Sequence, residues 1–210
     1  MGVSFQRAVV VGASSGIGEA IARRLVKDGA TVVLAGRRLE ELDRIAASLP
    51  KDKVHVLVHD VRAFQSVPRA FDKCVELLGG LDTLVYAAGV MPTVAEHEYD
   101  AEKDRAMVET NLLGAMAWMN PAAARFEAAR AGTIVGVSSI AGERGRRGNP
   151  GYTTSKAAMS AYLEALRNRC SRYGVNVVTA KPGFVDTVMT KGMKNPLWLV
   201  SADDAARMTL

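Results

Sequence analysis

Short apolar runs alternate along the chain with stretches in which apolar residues recur every three or four positions. Arg7 to Val11, Thr31 to Ala35, Lys53 to Val58, Leu81 to Ala88, Thr133 to Ser138 and Val175 to Ala180 read as strands, rich in β-branched residues. They run nearly without polar interruption, the pattern of strands covered on both faces. Between them, helical spacing marks Gly16 to Lys27, with Ile17, Ala20, Ile21 and Leu25 on one face. The same spacing marks Leu39 to Leu49, Val67 to Leu78, a long region from Glu98 to about Arg130, and Pro150 to Arg172. Pro121 predicts a break in the long region near Asn120-Pro121. Ala202 to Leu210 reads as a helix that stops short. This alternation predicts an α/β fold, a doubly wound parallel sheet of six strands with helices on both faces. The 210 residues fit one domain, 1–210, with no internal repeat or linker. Such sheets bind ligands at the carboxyl ends of their strands, so candidate chemistry belongs just after each strand.

Composition narrows the class. Apolar residues make up 49% and charged residues 23%, a globular balance rather than a disordered one. No apolar run approaches the roughly 18–20 residues that cross a bilayer. Cys74 and Cys170 are the two cysteines, too few for a disulfide framework or a Cys-rich zinc site. Met1 to Gln6 lacks a signal peptide's basic start and long apolar core. Together these predict a cytoplasmic location. The net charge is +5, yet most basic residues stand beside acidic ones on helical segments, as in Arg37-Arg38-Leu39-Glu40-Glu41. With no aromatic platform or nucleic-acid motif, a nucleic-acid partner is not expected. His55, His59 and His97 lack metal-ligand spacing, so no metal site is expected.

The first strand ends in Gly12-Ala13-Ser14-Ser15-Gly16-Ile17-Gly18, which opens a helix. Glycines permit a tight turn and close backbone approach to a pyrophosphate, and a helix N-terminus offers free N–H groups. Gly12, Ser14, Ser15, Gly16, Ile17 and Gly18 are therefore candidate dinucleotide contacts. The spacing G-x-x-x-G-x-G differs from G-x-G-x-x-G, and no Gly-Lys-Ser/Thr follows as in a P-loop. The second strand ends at Ala35-Gly36-Arg37-Arg38, where an NAD site usually carries Asp or Glu. With no carboxylate there, a 2′-phosphate can pair with Arg37, and Ser14 can add a hydroxyl contact. NADP(H) is the expected cofactor, with NAD(H) as the alternative.

Tyr152 and Lys156 stand four residues apart at the start of a predicted helix, on one face. A phenol near pKa 10 is a poor base at neutral pH; an adjacent cation lowers that value. Such a pair can move a proton to or from a carbonyl or alcohol oxygen. Thirteen residues upstream of Tyr152, the fifth strand ends at Ser138-Ser139, where a hydroxyl can donate to developing negative charge. Asn111 lies mid-helix in Glu109-Thr110-Asn111-Leu112-Leu113-Gly114, an unusual place for a residue that competes with the backbone.

In this order along nearly the whole chain, these residues resemble the short-chain dehydrogenase/reductase family, single-domain oxidoreductases of the Rossmann type. The match also takes in Asp60-Val61, Ala88-Gly89 and Pro182-Gly183. The resemblance implies hydride transfer between a nicotinamide and a carbonyl or secondary-alcohol substrate. It implies Tyr152 as general acid or base and Ser139, ahead of Ile140-Ala141-Gly142, as the group polarising the carbonyl. It implies Lys156 as the group that tunes Tyr152 and holds the ribose, and Asn111 as the holder of a relaying water. Asp60 would accept from the adenine amino group with Val61 beside it; Ala88 and Gly89 would lie along the cofactor ribose. Pro182, Gly183, Val185 and Thr187 would line the nicotinamide. One departure is Tyr86-Ala87-Ala88-Gly89, where Ala87 replaces an asparagine that ties neighbouring strands. A non-catalytic NADPH-binding redox sensor on the same fold is the competing reading, and it predicts a damaged catalytic set.

Two loops should meet the substrate: Ala141 to Gly151 with Arg144, Arg146 and Arg147, and Val188 through Gly192 and Lys194 to Trp198, a lid over an apolar group. Those arginines either recruit an anionic substrate or face solvent or a neighbouring subunit. The stretch faintly resembles reductases of keto-sugars on polyprenyl-phosphate lipids. The family's four-helix contact implies a homodimer or homotetramer through Glu98–Arg130 and Pro150–Arg172. Relatives usually continue past the last helix into a seventh strand, so the resemblance implies either a C-terminally shortened chain or a six-stranded variant missing one sheet edge.

Overall fold

A computed structural model of the protein describes residues 5–191 and 198–210. Six strands, Arg7–Val11 (β1), Thr31–Gly36 (β2), Val54–Val58 (β3), Thr83–Tyr86 (β4), Gly132–Val137 (β5) and Val175–Ala180 (β6), form one sheet in the order β3-β2-β1-β4-β5-β6. Every pairing is parallel; Val9 lies between Val33 and Leu84, and Val10 between Leu34 and Val85.

The helices are Gly16–Lys27 (α1), Leu39–Ala47 (α2), Val67–Leu78 (α3), Ala101–Val108 (α4), Gly114–Ala129 (α5), Pro150–Cys170 (α6) and Ala202–Thr209 (α7). Strand side chains alternate between two cores, the period-2 consequence of a pleated strand. Val9, Val11, Val33, Leu84 and Ile134 pack with α3, α5 and α6 around Phe71, Trp118 and Leu163. Ala8, Val10, Val32, Leu34 and Val85 pack with α1, α2 and α7 around Ile21, Leu25 and Ile45. The doubly wound parallel sheet predicted from the pattern is therefore the fold observed.

The predicted covering on both faces holds for the central strands and thins at the edges, where β3 is half-buried and β6 alternates between buried and exposed. At β6, Arg167 of α6 donates from Nε to the Val177 carbonyl at 2.9 Å and from Nη2 to Thr179 Oγ1 at 2.9 Å, blunting the open edge.

The long helical region ends where expected, with Arg130 as its C-cap, and differs from expectation at its start and in the middle. It begins at Ala101, because the Asp100 carboxylate accepts from the Glu102 and Lys103 amides at 2.9 and 3.1 Å, an N-cap that leaves Glu98 outside. It does not break at Pro121. Trp118, Met119, Ala122 and Ala123 are buried on either side of the proline, and that packing outweighs its local cost of about 3 kcal/mol. The irregularity lies instead at Glu109–Leu113, a single π-helical turn that carries Asn111.

Candidate active site

Strand order reverses between β1 and β4, and the carboxyl ends of β1, β4 and β5 open there into one cleft. Gly12 leaves β1 at φ +90° and donates to the Ala35 carbonyl at 2.8 Å. A Cβ at Gly12 would run into the Ala88 backbone, and one at Gly18 into the Gly12 carbonyl. Only bare backbone lets the loop lie this close to the end of β4. Ser15 then caps α1 without a side-chain hydrogen bond, so the first amides of the helix are open to an anion.

Arg38 organises this loop. Its Nη2 donates to Ser14 Oγ at 2.9 Å, to Ser15 Oγ at 2.7 Å and to the Ser14 carbonyl at 3.2 Å. Arg37 lies 3.9 Å from Asp60. Both arginines line the cleft, whereas the pattern read Arg38 as the start of a solvated helix. The signal was present: Val11 and Ala35 are register partners, so the residues just past them face one another. Asp60 is not brought to the lining; its neighbours His59 and Val61 are. Arg62 grips its carboxylate, from Nη2 at 2.8 Å and from the backbone N–H at 3.0 Å, and holds it below the usual carboxylate range.

At the other end, Tyr152 sits in the first turn of α6. The Asn149 side chain caps that turn, accepting from the Tyr152 N–H at 3.0 Å, and donates to the Pro92 carbonyl at 3.0 Å. One residue thus fixes the Tyr152 turn to the loop after β4, a contact that no pattern in the sequence marks. One turn further, Lys156 is 4% exposed; its Nζ donates to the Val137 carbonyl at 2.9 Å and lies 5.8 Å from the Tyr152 ring centroid. The two serines after β5 divide their work. Ser138 Oγ donates to the Lys156 carbonyl at 2.9 Å and shares a hydrogen bond with Ser160 at 2.8 Å, holding α6 to the sheet. Ser139 Oγ accepts from the Ala141 N–H at 3.1 Å and donates to the Pro182 carbonyl at 3.5 Å, on the same cleft lining as Tyr152.

Asn111 stands behind the lining and is fully buried. Its Oδ1 accepts from the Val90 N–H at 2.8 Å, and its Nδ2 donates to the Val90 carbonyl at 3.0 Å and to Ser155 Oγ at 3.0 Å. Ser155 passes the link on, donating to the Tyr152 carbonyl at 2.8 Å. Both amide hydrogens are spent on protein, so the side chain acts here as a clamp between the β4 loop and α6. The π-turn explains how a polar residue is accommodated inside a helix at this position.

Burial sets the electrostatics. It raises the Tyr152 phenol above its ordinary value, while the Ser139 hydroxyl pulls the other way. It lowers the Lys156 ammonium to about 8. The expected lowering of Tyr152 by the lysine charge is not the dominant effect, because that ammonium is itself desolvated and directed at Val137.

The predicted residues Gly12, Ser14, Ser15, Gly16, Ile17, Gly18, Arg37, Val61, Ala88 and Gly89 line one cleft with Ser139, Tyr152, Lys156, Pro182, Gly183, Val185 and Thr187. Its volume, about 1230 Å³, exceeds the roughly 300–1,000 Å³ of a single small-molecule site, leaving room for a dinucleotide and a second ligand. Ala87 retains a backbone tie, donating to the Val11 carbonyl at 2.8 Å. Of the predicted lid, Val188, Met189, Lys191 and Trp198 line the cleft; residues 192–197 lie outside the described ones. Among the described residues there is no cluster of metal-binding side chains and no helix long and apolar enough to cross a membrane.

The family sequence model described as short chain dehydrogenase matches residues 6–197. The chain belongs to that family and is an oxidoreductase by fold and relationship. It is 33% identical over 184 residues to an uncharacterised oxidoreductase of Staphylococcus haemolyticus, covering 88% of this chain and 80% of that protein. It is 34% identical over 183 residues to an uncharacterised oxidoreductase of Staphylococcus aureus, covering 87% and 79%. Among solved structures, it resembles a ribose-5-phosphate isomerase of Brucella melitensis with a TM-score of 0.88 and 29% identity, covering 97% and 83%. It resembles a point variant of the actinorhodin polyketide ketoreductase with NADPH with a TM-score of 0.88 and 26% identity, covering 99% and 90%.

Proposed function

We propose that the protein is an NADPH-dependent carbonyl reductase in which Tyr152 is the general acid. The observation that carries this reading is the meeting, in one cleft, of a Gly12–Gly18 phosphate cradle with the Ser139 and Tyr152 hydroxyls beside buried Lys156. The loop fits a dinucleotide: two glycines without room for a Cβ, open α1 amides, Arg38 bonded to Ser14 and Ser15, and Arg37 at the position where a 2′-phosphate would sit. The solved ketoreductase named above, which holds NADPH, supports the same choice.

When bound, the nicotinamide supplies the hydride. The protein supplies the proton and the orientation. Ser139 donates to the substrate carbonyl oxygen and stabilises charge as it develops. Tyr152, kept protonated at neutral pH by burial, gives its proton to that oxygen. Lys156, still largely an ammonium at neutral pH, stabilises the phenolate left behind. A protonated Tyr152 is the form that the reduction step requires. The intact set supports an enzyme over a redox-sensing regulator, which has no use for it.

A panel of ketones assayed by loss of NADPH absorbance tests the proposal. Tyr152→Phe is expected to lower kcat by about 10²–10⁴-fold, with kcat/KM for NADPH above that for NADH. Unchanged turnover in Tyr152→Phe would overturn the mechanism, and a cofactor ratio below one the preference.

A further inference from the structure

The charge of the cleft wall is one-sided. Among the described residues its lining includes Arg37, Arg38, Arg146, Arg147, Lys156 and Lys191, and neither Asp nor Glu. Arg37 and Arg38 belong to the phosphate end, and Lys156 is buried beside Tyr152. The cations on the substrate side are unaccounted for. Arg146 makes no ion pair or hydrogen bond with another described residue. Arg147 meets Glu96 at 3.3 Å through side chains 88% and 60% exposed, a contact that contributes little in water and is readily exchanged. Lys191 ends the turn that begins at Thr187, its N–H donating to the Thr187 carbonyl at 3.1 Å. The same lining also carries the apolar Met91, Pro92, Ile140 and Phe184. Ile140 is 42% exposed, as a contact surface for a ligand would be.

A guanidinium is weakly hydrated and presents a planar fork matched to carboxylate and phosphate oxygens. Two of them on a cleft wall whose described lining carries no carboxylate, with Glu96 set outside it, focus a positive potential where the substrate enters. Resting on the carbonyl-reductase reading, we infer that the substrate has an apolar body ending in an anionic group, a carboxylate or a phosphate, bound by Arg146 and Arg147. Glu96 holds Arg147 until the anion displaces it. The carbonyl then lies against Ser139 and Tyr152 with the body along Ile140.

Calorimetric titration of the protein saturated with NADP⁺, which occupies the Arg37–Arg38 end, tests this. The probes are 4-acetylbenzoate, 4-acetylphenyl phosphate and the neutral 4-acetylbenzamide. At least one anionic probe is expected to bind about tenfold or more tightly than the amide. That preference should shrink as salt is raised, and Arg146→Gln/Arg147→Gln should bring the anion to the amide's level. The two anionic probes separate a carboxylate from a phosphate preference. Both arginines are exposed, so the double variant tests binding rather than folding. Anions binding no better than the amide, or equally well to the double variant, would overturn the site. An arginine-dependent preference without NADPH-dependent turnover of any ketone would instead leave the anion site standing and remove the reductase reading.

Discussion

At the end of the cleft built by β1, β2 and α1, the groups offered to a ligand are backbone amides and exposed arginines. At the end built by β4, β5 and α6 they are buried side chains, each held by others. Lys156 is tied to Val137, Asn111 to Val90 and Ser155, Ser138 to Ser160 and α6. Outside Gly12 and Gly18, where no Cβ fits, the first end gains tolerance: main-chain groups cannot be mutated away, and charge at the surface costs little to keep. The second gains precision at the cost of desolvation, because buried polar groups are positioned tightly only when all are satisfied. Changes at the second end should therefore lower turnover and alter stability, whereas changes at the first should alter cofactor affinity.

The largest expected effect is Lys156→Met. Loss of the cation beside the phenol should cut kcat by about 10²–10³-fold. The same substitution should stabilise the fold. Holding an ammonium at about 8 rather than near its ordinary value costs roughly 3 kcal/mol at neutral pH. The lost charge-assisted bond to Val137 returns about 1.5–3 kcal/mol of that, leaving a net gain of about 0–1.5 kcal/mol and a Tm higher by up to about 6 °C. The pH dependence follows in sign. Between about 8 and about 10.4 the unfolded lysine binds a proton that the folded one has released, so wild-type stability rises with pH across that window. Below it both states carry the proton and the full cost remains. Chemical denaturation at pH 7 and 9.5 should show the rise in wild type and its loss in Lys156→Met. A variant less stable than wild type at pH 7 would mean that the lysine strengthens the fold.

Asn149 comes next, because it acts through Tyr152. Asn149→Ala removes a helix cap worth about 1 kcal/mol and frees the Pro92 loop. A small displacement of the catalytic turn should lower kcat by about tenfold. Asn149→Asp retains the acceptor for the Tyr152 N–H but not the donor to Pro92. It should recover the stability and only part of the turnover. Full recovery of both would show that the tie to Pro92 positions nothing.

How much of this was legible in the sequence follows the same division. The phosphate loop is contiguous, and its requirement for bare backbone is written as glycine spacing. The sheet was legible because fully covered strands leave unbroken apolar runs. Tyr152 and Lys156 share one helical turn, so their pairing was also readable. The clamp from Val90 through Asn111 and Ser155 to Tyr152 was not, since its members are 21 and 44 residues apart and its first link is a backbone group without side-chain identity. Pro121 misled because the packing of Trp118 and Met119 overrides a local preference. Arg38 reads as a solvated residue in the sequence because its partners, Ser14 and Ser15, become its neighbours only when β1 and β2 pair.

The smallest effects should come from that arginine pair. Arg38→Ala releases Ser14 and Ser15 without touching the buried network, so KM for NADPH should rise by about three- to tenfold through lost charge-assisted bonds, with kcat changed far less. Arg37→Asp places a carboxylate near Asp60 and opposes a 2′-phosphate directly. It should lower the NADPH-to-NADH ratio of kcat/KM, whereas Arg38→Ala should weaken both cofactors by similar factors because the loop serves their common pyrophosphate. Steady-state kinetics of both variants with both cofactors separate these roles. If Arg38→Ala lowers kcat as far as Asn149→Ala does, the phosphate loop and the catalytic turn are mechanically one unit, and the division between the two ends of the cleft fails.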